Sequence, residues 1–365
     1  MISALRNQIA VNKVRRETIR DHLHEMAGIC HENGSPFTAQ LFEQMAKDFD
    51  AGGPIAALID EWPTNPRADF LALRLAGALH AAALTERDSA LTMAYPPRNT
   101  FWRMEELWPI ARTFLQRESV WVAQFLKSPP QTNETGRSIA LLAGFLYFAG
   151  QWDGPVDMLE IGASAGLNLI WDKFSYQTQT WSWGSPGSVL IEADWQGPIP
   201  PTDALLRIRR KAACDLNPLD IRIPEERLRL RSYIWPDQPD RLARFDGAVA
   251  LALESGLEVE RANAADWLLK KLSARALDAA TIVYHSVFLQ YPPEEVRQDI
   301  VRTIYDAGAA ATSKAPLAWV RVEPEALVDG VADSKRFTID LTVWPGGVRR
   351  IVGHTDGHGR VIHAA

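Results

Sequence analysis

The chain has 365 residues, of which 47% are hydrophobic and 23% charged, with a formal net charge of −6. That length exceeds a single compact core and suits about two domains of ~100–200 residues each. The acidic balance excludes the basic profile of a dedicated nucleic-acid binder, and no apolar run is long enough to span a bilayer, so neither nucleic acid nor membrane is expected as a partner.

The opening segment MISALRNQIAVNKVRRE lacks a signal-peptide core, which makes the cytoplasm the expected location. Residues 1 to 127 read as an all-helical region. In LALRLAGALHAAAL, Leu71, Leu75, Ala78 and Leu79 recur at helical spacing. FWRMEELWPIARTFLQRESVWVAQFL continues the pattern, with Pro109 expected to break or kink it. SPPQTNETGRS, residues 128 to 138, is a linker in which Thr132 or Asn133 is placed to cap the next helix, SIALLAGFLYFAG.

From residue 156 the pattern changes. VDMLEI is a short apolar strand, GLNLIWDKF a helix, and SVLIEADW a strand within an insertion rich in Gly, Pro and Trp. A strand ends near Asp215, RLARFDGAVALALES is helical, and LEVERANAADWL is a strand with a turn at Asp266. ATIVYHSVFLQY reads as a strand buried on both faces. A helix (PEEVRQDIVRTIYDAGAAA), a strand (APLAWVRVEP) and a hairpin turning at Pro-Gly-Gly complete the order. Strands alternating with helices predict an α/β, Rossmann-like domain over residues 128–365. Its sheet should be mostly parallel and end in an antiparallel hairpin, the layout of class I methyltransferases, after a helical domain over 1–127.

The first strand runs into Glu160-Ile161-Gly162-Ala163-Ser164-Ala165-Gly166. Small residues at such a turn let a ligand approach the backbone. Glu160, Gly162 and Gly166 resemble the E-x-G-x-G-x-G loop that holds the methionine part of S-adenosylmethionine, with Ser164 in place of the middle glycine. The same residues spell G-x-S-x-G, the nucleophile elbow of α/β-hydrolases. In that rival reading Ser164 is the nucleophile and His354 or His358 its base. The helical character of the preceding region and the lack of an HGGG-like oxyanion segment weigh against it. A non-catalytic ligand-binding role is the third reading.

Other residues fall into place around the turn. A Rossmann-type cofactor needs a carboxylate at the second strand end for its ribose hydroxyls. Asp215, followed by Leu-Asn-Pro, is the candidate and Glu192 the alternative. Asp266, at the expected third strand end, would face the adenine, or else serve a helix start. His285 ends the fourth strand, where a histidine can act as base. Asp237 in WPDQ is a second catalytic candidate, with Trp235 a stacking wall, and Glu323 ends the fifth strand. Asn133, Glu134 and Arg137 are polar enough to reach the cofactor from the linker. Cys30 and Cys214 fit no metal or redox spacing. His354-Thr355-Asp356-Gly357-His358 reads as a surface turn, so no metal is expected. The basic run Arg207, Arg209, Arg210, Lys211 is read as a solvated strand face or a local patch.

QTNETGRS, LEIGASAGLNL, CDLNPLD, WPDQ, YHSVFLQY, PLAWVRVEP and WPGG occur together and in this order. The set resembles the bacterial family known as domain of unknown function 2332, over nearly the whole chain. Ala213 stands where a glycine would be more typical. The resemblance implies a Rossmann-type, methyltransferase-like fold and carries no substrate. The expectation is methyl transfer from S-adenosylmethionine to a small-molecule acceptor.

Overall fold

The computed structural model describes residues 2–365, with side chains from residue 14 onward. Of the opening segment, residue 1 and the side chains before residue 14 lie outside them. The described residues begin with helices α1 (Ile2–Glu32), α2 (Pro36–Asp50), α3 (Pro54–Ile59), α4 (Leu71–Leu84), α5 (Ser89–Ala94), α6 (Met104–Arg117) and α7 (Ser119–Leu126). A 3-10 turn, Thr135–Arg137, leads into α8 (Ser138–Ala149) and strand β1 (Pro155–Ile161). After a 3-10 helix, Leu167–Lys173, come short strands β2 (Ser175–Gln177), β3 (Ser182–Trp183), β4 (Leu190–Glu192) and β5 (Asp194–Gln196), then the long β6 (Arg207–Asp215). The chain continues through α9 (Pro224–Ser232), α10 (Pro239–Ser255), β7 (Val259–Arg261), α11 (Ala264–Ser273), β8 (Ala280–Ser286) and α12 (Glu294–Ala309). It finishes with β9 (Leu317–Pro324), α13 (Glu325–Val328), β10 (Phe337–Trp344), β11 (Val348–Thr355) and β12 (Val361–Ala364).

The chain divides into two compact units, Met1–Thr132 with Ile223–Ala243, and Asn133–Arg222 with Arg244–Ala365. The single linear boundary after residue 127 therefore gives way to a discontinuous one. The reason is apolar: Tyr233 and Trp235 are buried in the same core as Phe37, Leu75 and Phe114. Gly77 makes room for Tyr233, since a Cβ there would lie 2.6 Å from its ring.

In the first unit Pro109 sits inside α6 without ending it. The buried stripe Leu107, Ala111, Phe114 keeps the helix together across the missing donor. Ser35 caps α2 with Pro36 at its first position.

The second unit holds a nine-stranded sheet in the order β5-β12-β11-β10-β9-β8-β1-β6-β7. The strands β7, β6, β1, β8 and β9 are all parallel. β10 and β11 add antiparallel strands by simple return, as the hairpin signal predicted. From β1 the chain builds outward through β6 and β7, then crosses back to β8 and β9, so the two directions part at β1. Alternation along the strands separates two faces. Leu159, Ile161, Val283 and Trp319 pack with Ile300 and Ile304 of α12. Tyr284 meets Phe145 of α8 on the opposite face, and Gly144 of α8 lies against Val320.

Two local expectations are corrected here. SVLIEADW is two strands in different sheets: β4 pairs with β2 in a separate three-stranded sheet, while β5 joins the edge of the large one. The segment after the glycine turn is a 3-10 helix, kinked at Ile170, rather than an α-helix. So short and irregular a segment sums little dipole.

Candidate functional site

The turn 162–166 follows β1 directly and satisfies the N–H groups of Ala163, Ser164 and Gly166 within the protein. Ala163 N–H donates to Cys214 O at 3.1 Å, and Gly166 N–H to Ala163 O at 2.8 Å. Ser164 N–H donates to Asp215 Oδ2 at 2.8 Å. Leu167 N–H donates to Asn133 Oδ1 at 2.8 Å. Gly162 and Gly166 hold φ of +67° and +76°, and Ser164, a non-glycine, holds +53°.

What the turn leaves over is acceptor oxygen. Ser164 is 7% exposed, and its Oγ has no hydrogen-bond partner among the described residues. Asn168 is 2% exposed; its Nδ2 donates to Glu134 O at 3.3 Å, and its Oδ1 has no partner. Asp215 also accepts Asn217 N–H on Oδ1 at 2.8 Å, which leaves further lone pairs on a partly exposed carboxylate.

Behind the turn lies a buried polar cluster. Tyr284 Oη donates to Glu160 Oε2 at 3.2 Å. Burial pushes the Glu160 carboxyl up to about 8, with the Asp215 charge adding to the rise and the Tyr284 hydroxyl, Lys211 and Arg137 opposing it. The rise favours the protonated, neutral form of Glu160. Lys211 pairs with Asp172, and burial lowers its affinity for a proton.

The expected site residues distribute unevenly. Glu160, Gly162, Ser164, Gly166, Asp215 and Asn133 meet at the turn, but Asn133 does so as a cap on Leu167. The cap of the linker's own 3-10 turn is Glu134, accepting Gly136 N–H at 3.0 Å. Glu192 lies exposed on β4, outside the large sheet, which removes it as a ribose carboxylate. Asp266 is inside the first turn of α11 and exposed, because β7 ends earlier, at Arg261. The strand end is followed by Asn263, which caps α11 through Ala265 N–H at 2.9 Å.

His285 does not present a free nitrogen. The strand period turns it away from Glu160 and Tyr284, and its side chain is fully buried. Trp319 Nε1–H donates to its Nε2 at 3.0 Å, so the proton sits on Nδ1, which donates to Glu323 Oε1 at 2.6 Å. Both ring nitrogens are thus engaged by neighbouring side chains. Asp237 belongs to the first unit. Its carboxylate accepts Ser35 Oγ–H at 2.5 Å and Phe37 N–H at 3.0 Å, completing the N-terminus of α2. That use engages its carboxylate within the first unit. His354 Nε2 pairs with Glu325 at 3.2 Å. No group of three His, Cys, Asp or Glu fit for a metal occurs among the described residues. In the basic run on β6, Arg209 and Arg210 stay exposed and both pair with buried Asp157.

Sequence reasoning missed two contributors. Phe288 lies against Gly162, and Asn168 carries an unpartnered buried oxygen. Asn168 stood next to the glycine turn in the sequence, and a polar residue inside an otherwise apolar LNLIW run was the available signal.

Among the described residues, no helix is long and apolar enough to cross a membrane. A family model described as an uncharacterized protein conserved in bacteria (DUF2332) matches residues 20–363, so the chain belongs to that family. No curated protein matches it.

Proposed function

We propose that the second unit binds S-adenosylmethionine at the 162–166 turn and serves methyl transfer to a small-molecule acceptor in the cytoplasm. The observation that carries this reading is the donor–acceptor balance of the turn. Its N–H groups at Ala163, Ser164, Gly166 and Leu167 are spent inside the protein, so a pyrophosphate would find few donors there. Ser164 Oγ, Asn168 Oδ1 and Asp215 offer acceptors instead. Acceptors suit a ligand whose turn-facing groups are donors, such as an α-ammonium and two ribose hydroxyls. Asp215 would take the ribose, Ser164 and Asn168 the ammonium, and neutral Glu160 would donate to the ligand's carboxylate. The parallel strands β7-β6-β1-β8-β9 support the same reading: numbered from β1, they follow the Rossmann order 3-2-1-4-5. The simple return of β10 and β11 is a variation at the far edge. When bound, the cofactor supplies an electrophilic methyl group. The residues described here orient it and exclude water from Glu160, and no base is assigned to the chain.

The hydrolase reading needs a histidine on Ser164 Oγ, and that oxygen has no partner among the described residues. Calorimetric titration of the whole chain with S-adenosylmethionine and S-adenosylhomocysteine tests the proposal. Binding should raise the melting temperature by mass action and weaken at least tenfold in Asp215→Ala. Absence of both heat and thermal shift at millimolar ligand would end it.

A further inference from the structure

Phe288, two residues beyond β8, rests its ring on the first glycine of the turn. A Cβ built on Gly162 would meet Phe288 Cδ2 at 2.2 Å and Cγ at 2.7 Å. The ring is half-buried, so it closes the Gly162 side of the turn and still presents surface outward. Its backbone is fixed from behind by one carboxylate. Phe288 N–H donates to Glu323 Oε1 at 2.8 Å, and Leu289 N–H to Oε2 at 3.2 Å. The same carboxylate takes the Nδ1–H of His285, itself anchored by Trp319. Val287 holds a φ of +53°, a strained value for a β-branched residue, and its N–H is tied to Val322 O at 2.8 Å. Tethers on both sides of a strained residue leave the ring little freedom.

A phenyl ring offers a ligand apolar surface and the negative face of its quadrupole, which attracts a cation. S-adenosylmethionine carries a positive sulfur, and the thioether left after methyl transfer is neutral. We infer that Phe288 is a specificity-determining residue that favours the sulfonium form over the thioether, and that Glu323 with His285 is the positioning group that holds it on Gly162. The inference rests on the methyl-donor reading given above.

The test is the ratio of affinities of the whole chain for S-adenosylmethionine and S-adenosylhomocysteine, by calorimetry. The wild type should favour the sulfonium. Phe288→Leu keeps bulk and loses the quadrupole, so the preference should fall by about 2- to 30-fold, while Phe288→Tyr should retain it. An unchanged ratio in the leucine variant overturns the inference and leaves the methyl-donor reading standing. A wild type that binds neither compound overturns the methyl-donor reading and, with it, the selectivity. The positioning role is read separately by hydrogen exchange on the ligand-free chain. The Phe288 and Leu289 amides should be protected in the wild type and exchange at least tenfold faster in Glu323→Gln. Unprotected amides in the wild type, or equal rates in the two proteins, overturn that role whatever the ligand.

Discussion

Glu160 shows how burial changes what a residue can do. As a sequence feature it is an acid before a glycine turn; in the fold it is a buried carboxyl, pushed toward its neutral form, that accepts the Tyr284 hydroxyl. A folded carboxyl pushed from 4.5 up to about 8 stays protonated where its unfolded counterpart ionises. Its contribution to stability is full below pH 4.5 and is lost as pH rises through 8. The slope from this one group is at most about 1.4 kcal/mol per pH unit. Urea melts from about pH 5 to 8 should therefore show falling stability, and Glu160→Gln should flatten that fall. Gly162 is constrained twice, by its φ of +67° and by the Phe288 ring. Gly162→Ala should cost roughly 2–4 kcal/mol, read as a lower urea midpoint. Both glycines at the turn's ends were legible in the sequence. The fate of the Ala163, Ser164 and Leu167 N–H groups was not, because their acceptors lie on Cys214, Asp215 and Asn133, far along the chain.

At the scale of elements, side chains remote in sequence finish what local sequence begins. Helix α2 has its own serine cap and proline start, yet it also needs Asp237, some two hundred residues later. Asp237→Ala should lower stability by about 1–2 kcal/mol and leave S-adenosylhomocysteine affinity within twofold. A larger loss of affinity than of stability would restore Asp237 to the site. On the antiparallel side of the sheet, buried Asp340 of β10 is held by Arg321 of β9, at 2.8 and 3.0 Å, and by Arg349 of β11. Removing one partner of a buried ion cluster strands the others. Asp340→Ala should cost about 3–5 kcal/mol by equilibrium unfolding, more than Arg349→Ala, whose side chain is partly solvated. The element boundaries that misled the sequence reading share a cause. Asp266 and the 167–173 segment sit where a strand or helix ends, and endings depend on which cap wins.

Across the whole molecule burial shifts individual groups in both units. In the first, burial lowers His22 and His80 from 6.5 to about 4. A buried histidine kept neutral contributes stability above 6.5 that is lost as pH falls through 4. In the second unit the raised Glu160 acts the other way, losing stability as pH climbs. Pulse proteolysis should show cutting within the helical unit rising as pH falls toward 4, and cutting within the sheet unit rising as pH climbs toward 8; no rise at either end would contradict these burials. The sequence by itself determined the helix-then-sheet order, the glycine turn after β1, Asp215 at a strand end and the closing antiparallel strands. These are local, because hydrophobic period and turn chemistry are written in neighbouring residues. Tertiary structure decided the rest. It drew residues 223–243 into the helical core, sealed His285 between Trp319 and Glu323, and laid Phe288 on Gly162. Each of these depends on which long-range partners desolvate a group and satisfy its hydrogen bonds, and a strand's alternation alone does not name them.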